Sequence, residues 1–287
     1  MKYFDYCAPA SLDEAVALLR SGAGPASLMA GGTDLMVQMK EHVRQPARVI
    51  DIKRIPGMDD FHYDERHGLT LGALVTTRQV ETSPITQEHY ASLARAATDF
   101  ASVQVRHRAT VVGNVCRASP SADTLPPLIA DGAVLRIHGP ACRRECAVED
   151  FCLAPGKTRL GDDEIVTHIQ IPPPGPGTGK AYIKHGRRAQ MELATVGVAV
   201  TLALDGGRCR DIRIVLAAVA PTPLRARAAE AGLRQRLITT AGIAAAAQAA
   251  SEEARPIGDV RASAEYRRDM VRVLTRRAIE QAIEEAL

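Results

Sequence analysis

The sequence predicts an α+β protein, in which short strands and helices alternate at first and then separate into a run of strands followed by a run of helices. Ser11 and Glu14 form a capping-box pattern ahead of an apolar helical face, and short runs at 26–30 and 48–52 are predicted as strands. Beyond a segment rich in proline and glycine at 172–179, three strand-like runs precede three helical ones. A chain of 287 residues is long enough for two or three compact units.

Composition and charge exclude several classes of protein. A hydrophobic content of 46% with 24% charged residues is ordinary for a soluble protein and argues against disorder. The net charge of +3 is too small to indicate nucleic-acid binding, and no basic run is interleaved with aromatic residues. The N-terminus lacks an apolar signal core, and no stretch approaches the roughly 20 apolar residues needed to cross a bilayer. These features predict a cytoplasmic protein without a membrane span.

The first unit, residues 1–55, has a βαβ-like pattern. Two glycines stand between its central strand and its second helix, and a proline marks the end of that helix. The predicted elements are a helix from Ser11, a strand at 26–30, a helix through Leu35, Met36, Met39 and Val43 that Pro46 ends, and a strand at 48–52.

Two further units are predicted at 56–174 and 180–287, because the segment at 172–179 is the clearest linker in the chain. The middle unit is expected to contain a hairpin at 61–73, short helices at 76–80, 90–98 and 125–130, and strands at 134–137 and 164–171. The last unit is expected to contain strands at 180–187, 194–204 and 209–219, then helices at 222–236, 239–254 and 263–287.

The glycine loop at 30–35 is a candidate anion site. Gly31 and Gly32 lie where a strand passes into a helix, and a backbone without side chains lets a ligand approach closely. Thr33 is expected to cap the helix, whose N-terminus would offer free N–H groups to a phosphate. A tight turn without a ligand explains the same pattern. The loop alone therefore leaves both interpretations open.

A second glycine segment, 109–114, strengthens the ligand interpretation. It reads Ala-Thr-Val-Val-Gly-Asn and is followed by Ser119 to Pro127, which contains Asp123. Two separated loops would suit a ligand with two ends. Neither loop is the G-x-G-x-x-G fingerprint of a Rossmann domain, so a dinucleotide site here would be of another type.

Together these two loops, in this order and at this separation, resemble the FAD-binding medium subunit of the molybdenum hydroxylases. That family includes xanthine dehydrogenase, carbon monoxide dehydrogenase and aldehyde oxidoreductases, and the likeness extends over nearly the whole chain. The resemblance implies a two-subdomain, non-Rossmann FAD-binding domain of the PCMH-like type. A smaller α+β domain of three antiparallel strands and three helices would follow it.

The resemblance also implies which residues bind FAD, which would be held non-covalently. The loop at 30–35 would contact the pyrophosphate, a second wall would come from the segment at 110–114, and Lys184 would lie near the flavin, where a cation stabilises the reduced anionic form. Glu192-Leu193-Ala194 departs from the Asp-Ile-Ala that is common in the family. The implied cofactor-binding residues are Ala30, Gly31, Gly32, Thr33, Asp34, Leu35, Thr110, Gly113, Asn114, Asp123, Val166 and Lys184.

The resemblance implies an electron-transfer subunit in which bound FAD performs the redox chemistry, so no catalytic acid, base or metal ligand is expected in this chain. The resemblance implies a small iron–sulfur subunit that carries 2Fe–2S clusters and a large subunit that carries molybdopterin, assembled as a dimer of heterotrimers. The final acceptor, NAD, a quinone or another carrier, stays open, as does the substrate of the complex. Arg106-His107-Arg108 is interpreted either as part of the partner-facing surface or as a solvated face.

Three alternatives remain at this stage. A self-sufficient FAD-dependent oxidoreductase, similar to the UDP-N-acetylmuramate reductases, would need a substrate pocket of its own. In a non-enzymatic nucleotide-binding module both loops would be simple turns. An extra iron–sulfur cluster is known from the related 4-hydroxybenzoyl-CoA reductase, but its ligands lie in an inserted loop that is missing here. The four thiols considered for such a cluster are Cys116, Cys142, Cys146 and Cys152.

Overall fold

Three large β-sheets follow one another along the chain, each with its own helices, and a two-stranded sheet accompanies the second of them. The structure is a computed structural model and is described over residues 1–22, 24–189 and 191–287. Two large hydrophobic clusters lie against the second and third sheets, and a small one centred on Leu35, Met39 and Val49 lies in the first. The predicted α+β class is confirmed.

The first sheet is parallel and contains three strands in the order β1-β3-β2. Its helices follow the first and second strands, so the predicted βαβ-like unit is present, with an additional strand at its start. Its elements are β1 (Asp5–Cys7), α1 (Leu12–Arg20), β2 (Ala26–Met29), α2 (Leu35–Lys40) and β3 (Arg48–Asp51).

Two local predictions in this unit are wrong. Helix α2 ends at Lys40 and not at Pro46, because His42 takes a left-handed conformation with φ of 60° that interrupts the helix. Val43 therefore lies outside the helix and is exposed. The capping box at Ser11 is only half formed, since Ser11 accepts from the N–H of Glu14 but the Glu14 carboxylate accepts from Ala10.

The second sheet is antiparallel, in the order β4-β5-β10-β6-β7, and helices cover it. The hairpin, the helices near 76–80, 90–98 and 125–130 and the two later strands are present as predicted. The elements of this part of the chain are β4 (Phe61–Asp64), β5 (Gly68–Gly72), α3 (Thr77–Thr82), α4 (Pro84–His89), α5 (Ala91–Asp99), α6 (Val103–Arg106), α7 (Val111–Arg117), α8 (Leu125–Ala130), β6 (Val134–His138), β7 (Arg143–Ala147), α9 (Val148–Phe151), β8 (Cys152–Ala154), β9 (Lys157–Thr158) and β10 (Ile165–Ile171). Strands β8 and β9 pair with each other in a small sheet of their own.

The sequence analysis missed several short elements of this part, including α4. Pro84 reads as a helix breaker, but it occupies the first turn of α4, where the missing N–H costs nothing.

The third sheet is an antiparallel meander, as predicted, with a short additional strand at its edge. Residues 224–225, predicted as the start of a helix, form this strand by pairing with Val215 and Leu216. Its elements are β11 (Thr178–His185), β12 (Val196–Asp205), β13 (Arg208–Ala217), β14 (Leu224–Arg225), α10 (Arg227–Leu233), α11 (Thr240–Glu253) and α12 (Ala264–Ala286). No helix in the described residues has the length and apolar character needed to cross a membrane. The unit boundaries at 55, 174 and 180 stay a prediction.

Candidate functional site

The first glycine loop is built with no space for side chains at its centre. A Cβ atom on Gly31 would lie 1.8 Å from the carbonyl oxygen of Arg108, so only glycine fits there. Gly32 has a φ of 75°, which L-residues with a side chain rarely adopt. The loop is thus shaped by backbone contact and by a left-handed turn.

The same loop presents a row of unused donors. Within the part of the chain that the structure describes, the N–H groups of residues 31–35 donate to no protein acceptor. Thr33 does not cap α2: Asp34 occupies the N-cap position, in a helical conformation and without a side-chain cap, so that prediction is wrong. The N–H groups of a first helical turn have no partner within the helix, so this row is available to an external acceptor.

The second segment was predicted to be a glycine loop, but it forms the first turn of α7. Thr110 is the N-cap of this helix and accepts the N–H of Gly113 at 3.0 Å. Asn114 accepts the hydroxyl of the buried Thr124 at 2.7 Å, which ties the helix to the segment before α8. Thr110, Gly113 and Asn114 therefore lie together on one short, well-anchored turn.

The structure brings the two glycine segments into direct contact. Gly31 packs on the Arg108 carbonyl, only two residues before the N-cap of α7. An ion pair of 2.9 Å joins Asp34 at the start of α2 to Arg117 at the end of α7. On the other side of the loop, Lys53 donates to the Ala30 carbonyl at 3.2 Å. Loop 30–35 and turn 110–114 are thus two sides of one site.

Asp123 and Lys184 also lie together, in a buried network. The two oxygens of Asp123 accept from the Tyr182 hydroxyl and from Lys184 Nζ, each at 2.9 Å. Lys184 Nζ donates in addition to the Asp99 carbonyl at 2.9 Å. Burial raises the pKa of Asp123, whereas the Lys184 charge and both hydrogen bonds oppose that rise. Burial beside Asp123 also raises the pKa of Tyr182, so the phenol keeps its proton and donates.

Lys184 lines a cavity of about 330 Å³ beside this network. Glu192, one of the two residues that depart from the family pattern, lines it too, and its carboxylate lies 3.4 Å from Arg188 Nε. The remaining lining residues are Arg95, Asp99, His185, Gly186, Arg187 and Ala189.

Val166 and Arg106 lie outside this network. Val166 lies on β10, is buried in the hydrophobic core and pairs with Ile137. Arg106 does not contribute to an exposed basic surface, because its guanidinium is largely buried and pairs with Glu81 at 2.8 Å. Only His107 and Arg108 of that trio are exposed. The interpretation of the whole trio as a solvated or partner-facing surface is therefore wrong at Arg106.

The cysteines are free thiols in the structure. No group of three or more His, Cys, Asp or Glu residues in the described ranges is arranged to hold a metal ion. Burial raises the pKa of Cys116 to about 12 and that of Cys152 to about 11, which keeps both as neutral thiols.

Sequence reasoning missed Tyr182 and the contacts of Gly31 and Asp34 across the site. Tyr182 had a visible signal, because Lys180, Tyr182 and Lys184 alternate along a strand and so share one face. The contact of Gly31 had none, since it depends on how distant segments meet.

Comparison with known proteins identifies this arrangement. Residues 2–174 match the family described as the FAD binding domain in molybdopterin dehydrogenase, and residues 181–282 match the CO dehydrogenase flavoprotein C-terminal domain. The chain belongs to the FAD-binding subunits of the molybdopterin dehydrogenases. The predicted family and the oxidoreductase class are thereby confirmed.

Relatives of this FAD-binding subunit match it over almost its full length. The carbon monoxide dehydrogenase medium chain of Hydrogenophaga pseudoflava is 36% identical over 97% of this chain and 96% of that protein. The putative xanthine dehydrogenase FAD-binding subunit of Escherichia coli K12 is 32% identical over 98% of this chain and 96% of that protein. A solved carbon monoxide dehydrogenase from H. pseudoflava, which lacks the Mo-pyranopterin moiety of its molybdenum cofactor, matches with a TM-score of 0.95 at 37% identity, over 99% of this chain and 98% of that chain.

FAD is the cofactor of this subunit, as predicted, and the site fits it. The unused N–H groups at 31–35 suit the oxygens of a pyrophosphate, and Gly31 and Gly32 keep the backbone free of side chains at that point. The contact between the two glycine segments would present both sides of the site to one ligand.

Proposed function

We propose that this subunit holds one FAD non-covalently and uses it to transfer electrons. It takes electrons from 2Fe–2S clusters of a partner subunit and passes them to NAD, a quinone or another acceptor. The observation that carries the proposal is the row of unused N–H groups at 31–35, in contact with the turn that carries Thr110, Gly113 and Asn114. These are the free donors of a helix start, and with the glycines that precede them they leave the backbone open to a phosphate.

In this proposal each predicted residue has a defined part. Residues 30–35 bind the pyrophosphate, and Thr110, Gly113 and Asn114 form the second wall. Asp123 and Lys184 lie at the flavin end, and Val166 supports the adenine end from the core. Bound FAD supplies the redox chemistry, so the chain needs no catalytic acid or base. Its residues bind the cofactor, orient it and provide a fixed positive charge at Lys184.

The proposed assembly contains a small iron–sulfur subunit and a large molybdopterin subunit, as a cytoplasmic dimer of heterotrimers. In the described ranges this chain has no metal-binding cluster of its own, so its electron source would be a partner. The names of the relatives support this, since they include a carbon monoxide dehydrogenase medium chain and a xanthine dehydrogenase FAD-binding subunit. His107 and Arg108, exposed beside α7, are proposed as part of the partner surface.

The cofactor part is tested by denaturing the purified full chain and analysing the released flavin by mass spectrometry. We expect one FAD per chain and no flavin attached to the protein. Recovery of FMN, of covalently bound flavin or of no flavin would contradict the proposal. The partner part is tested by co-expression with the two expected subunits, followed by size exclusion and rapid-mixing reduction. Failure of the three chains to co-elute, or turnover of an organic substrate by this chain alone, would contradict the assembly.

A further inference from the structure

One face of β11 carries a buried polar seam against the preceding FAD-binding part of the chain. Lys180, Tyr182 and Lys184 alternate along the strand and therefore point to the same side. Lys180 Nζ lies 2.9 Å from Asp131 Oδ1, whereas Tyr182 and Lys184 both contact Asp123. The seam thus contains two lysine–aspartate pairs, four residues apart on the strand.

The two pairs are closely matched in geometry and burial. Both N–O distances are 2.9 Å, and the side chains are 5% and 2% exposed in the Lys180–Asp131 pair and 8% and 7% in the Lys184–Asp123 pair. Ion pairs this deeply buried add little net stability, because desolvation offsets their attraction. Stability alone therefore does not explain why both ion pairs are present.

The surroundings of the two lysines differ. Lys180 faces the ring of Tyr90 at 4.3 Å, and its partner Asp131 accepts from the Thr201 hydroxyl at 2.8 Å. This pair borders a separate cleft beneath the proline segment 172–175. Lys184 instead lines the cavity of about 330 Å³ that adjoins the proposed flavin end of the site. Only one of the matched pairs therefore adjoins the proposed cofactor.

Asp123 and the Asp99 carbonyl together fix the orientation of the Lys184 ammonium. An ammonium group has three N–H donors, and Lys184 uses two, on Asp123 and on the Asp99 carbonyl. One donor stays available to a ligand in the cavity. Tyr182 occupies the other oxygen of Asp123, so the carboxylate is held on both sides.

We propose that Asp123 is a positioning residue that acts on the bound cofactor through Lys184, by holding the Lys184 ammonium in place at the cavity wall. That fixed charge favours the negative charge that FAD gains on reduction, while the Lys180–Asp131 pair only joins the two parts of the chain. This inference rests on the proposed function, because it requires FAD at this end of the site.

The test compares the variants D123N and D131N of the full chain, co-expressed with its partners where the assembly requires them. FAD content and the flavin midpoint potential are measured for both. In D123N the affinity for reduced FAD should fall about tenfold relative to oxidised FAD, which lowers the potential by roughly 30 mV for a two-electron couple. D131N should keep the wild-type potential. Equal potentials in wild type and D123N, or equal shifts in both variants, would overturn the inference.

A double-mutant cycle with K184Q separates action through Lys184 from direct contact of Asp123 with FAD. K184Q alone should lower the potential as D123N does, and D123N should then add no further shift. Additive shifts would overturn the positioning role. If D123N does not fold, K184Q still decides, because an unchanged potential in folded K184Q would also refute the inference. Absence of FAD from the wild-type chain would instead refute the proposed function itself.

Discussion

Gly31 packs directly on the main chain of Arg108: a Cβ atom at Gly31 would lie 1.8 Å from the Arg108 carbonyl oxygen. This contact joins the first glycine loop to the segment that leads into α7. Since the obstacle is a backbone atom and not a flexible side chain, neither partner can move aside without moving its whole segment. The absence of a side chain at residue 31 is therefore a condition for the two sides of the proposed FAD site to meet.

We predict that Gly31→Ala weakens both folding and FAD binding. Overpacking typically costs about 1–3 kcal/mol, and the shift of the loop should reduce FAD affinity by at least tenfold. Urea unfolding and FAD titration measure the two effects. The control is Gly232→Ala in α10, where a new Cβ has no neighbour within 4 Å and alanine favours the helix. Wild-type FAD binding in Gly31→Ala would show that the contact does not shape the site.

Much of this fold was predictable, because its elements follow local rules. The Ser11 cap, the βαβ-like pattern and the meander after 172–179 all have signals within a few residues of each other. The contact between Gly31 and Arg108 has no such signal, because it arises only when distant segments pack. Thr33 failed as a cap for a local reason: the Met36 N–H already donates to the Gly32 carbonyl, so helical bonding begins before Thr33.

The basic segment at 106–108 is a second feature that could not be predicted from local sequence. Arg106, His107 and Arg108 are alike in sequence, yet only Arg106 is turned inward, where it meets Glu81 and the carbonyls of Phe100 and Ala101. Charge patterning in the sequence does not distinguish a buried arginine from its exposed neighbours. The fold decides this by placing Glu81 of α3 beside α6.

We predict that Arg106→Ala destabilises the chain by about 2–3 kcal/mol, because it leaves Glu81 without its main partner. This is somewhat less than the loss expected for a fully buried pair. The free energy of unfolding from urea titration gives the value. Arg108→Ala, which removes an exposed side chain, should change stability by less than about 0.5 kcal/mol. A similar loss in both variants would show that Arg106 is not the internal support that its contacts indicate.

Among the six cysteines, Cys142 should react first with a thiol reagent such as Ellman's reagent. It is the exposed one, whereas Cys209 is buried and Cys116 has a pKa raised to about 12 by burial. In the native chain Cys142→Ser should remove the fast phase, and Cys209 should react only on unfolding. Iron bound to the purified chain in proportion to protein would contradict the assignment of these residues as free thiols.

Asp259 should make stability depend on pH in the acid range. Its carboxylate accepts from the N–H groups of Arg261 and Ala262 and from the buried guanidinium of Arg267, and these contacts hold its pKa at about 2. Arg267 in turn donates to the carbonyls of Thr195 and Ala218. Asp259 therefore supplies the counter-charge for Arg267. Arg267 in turn links the first turn of α12 to the residues that flank β12 and β13.

The sign follows from the pKa of Asp259, which is lower in the folded chain than the value of about 3.9 in an unfolded chain. Its stabilising contribution is fully present above about pH 5 and is lost as the pH falls from there towards 2. Asp259→Asn should thus be less stable than wild type at pH 7, and the difference should shrink steadily between about pH 5 and pH 2. Chemical unfolding at each pH measures it, with Asp269→Asn, at an exposed position of α12, as the control that should stay near wild type at pH 7. A difference between Asp259→Asn and wild type that stays constant from pH 7 to pH 2 would show that the carboxylate charge does not hold Arg267 in place.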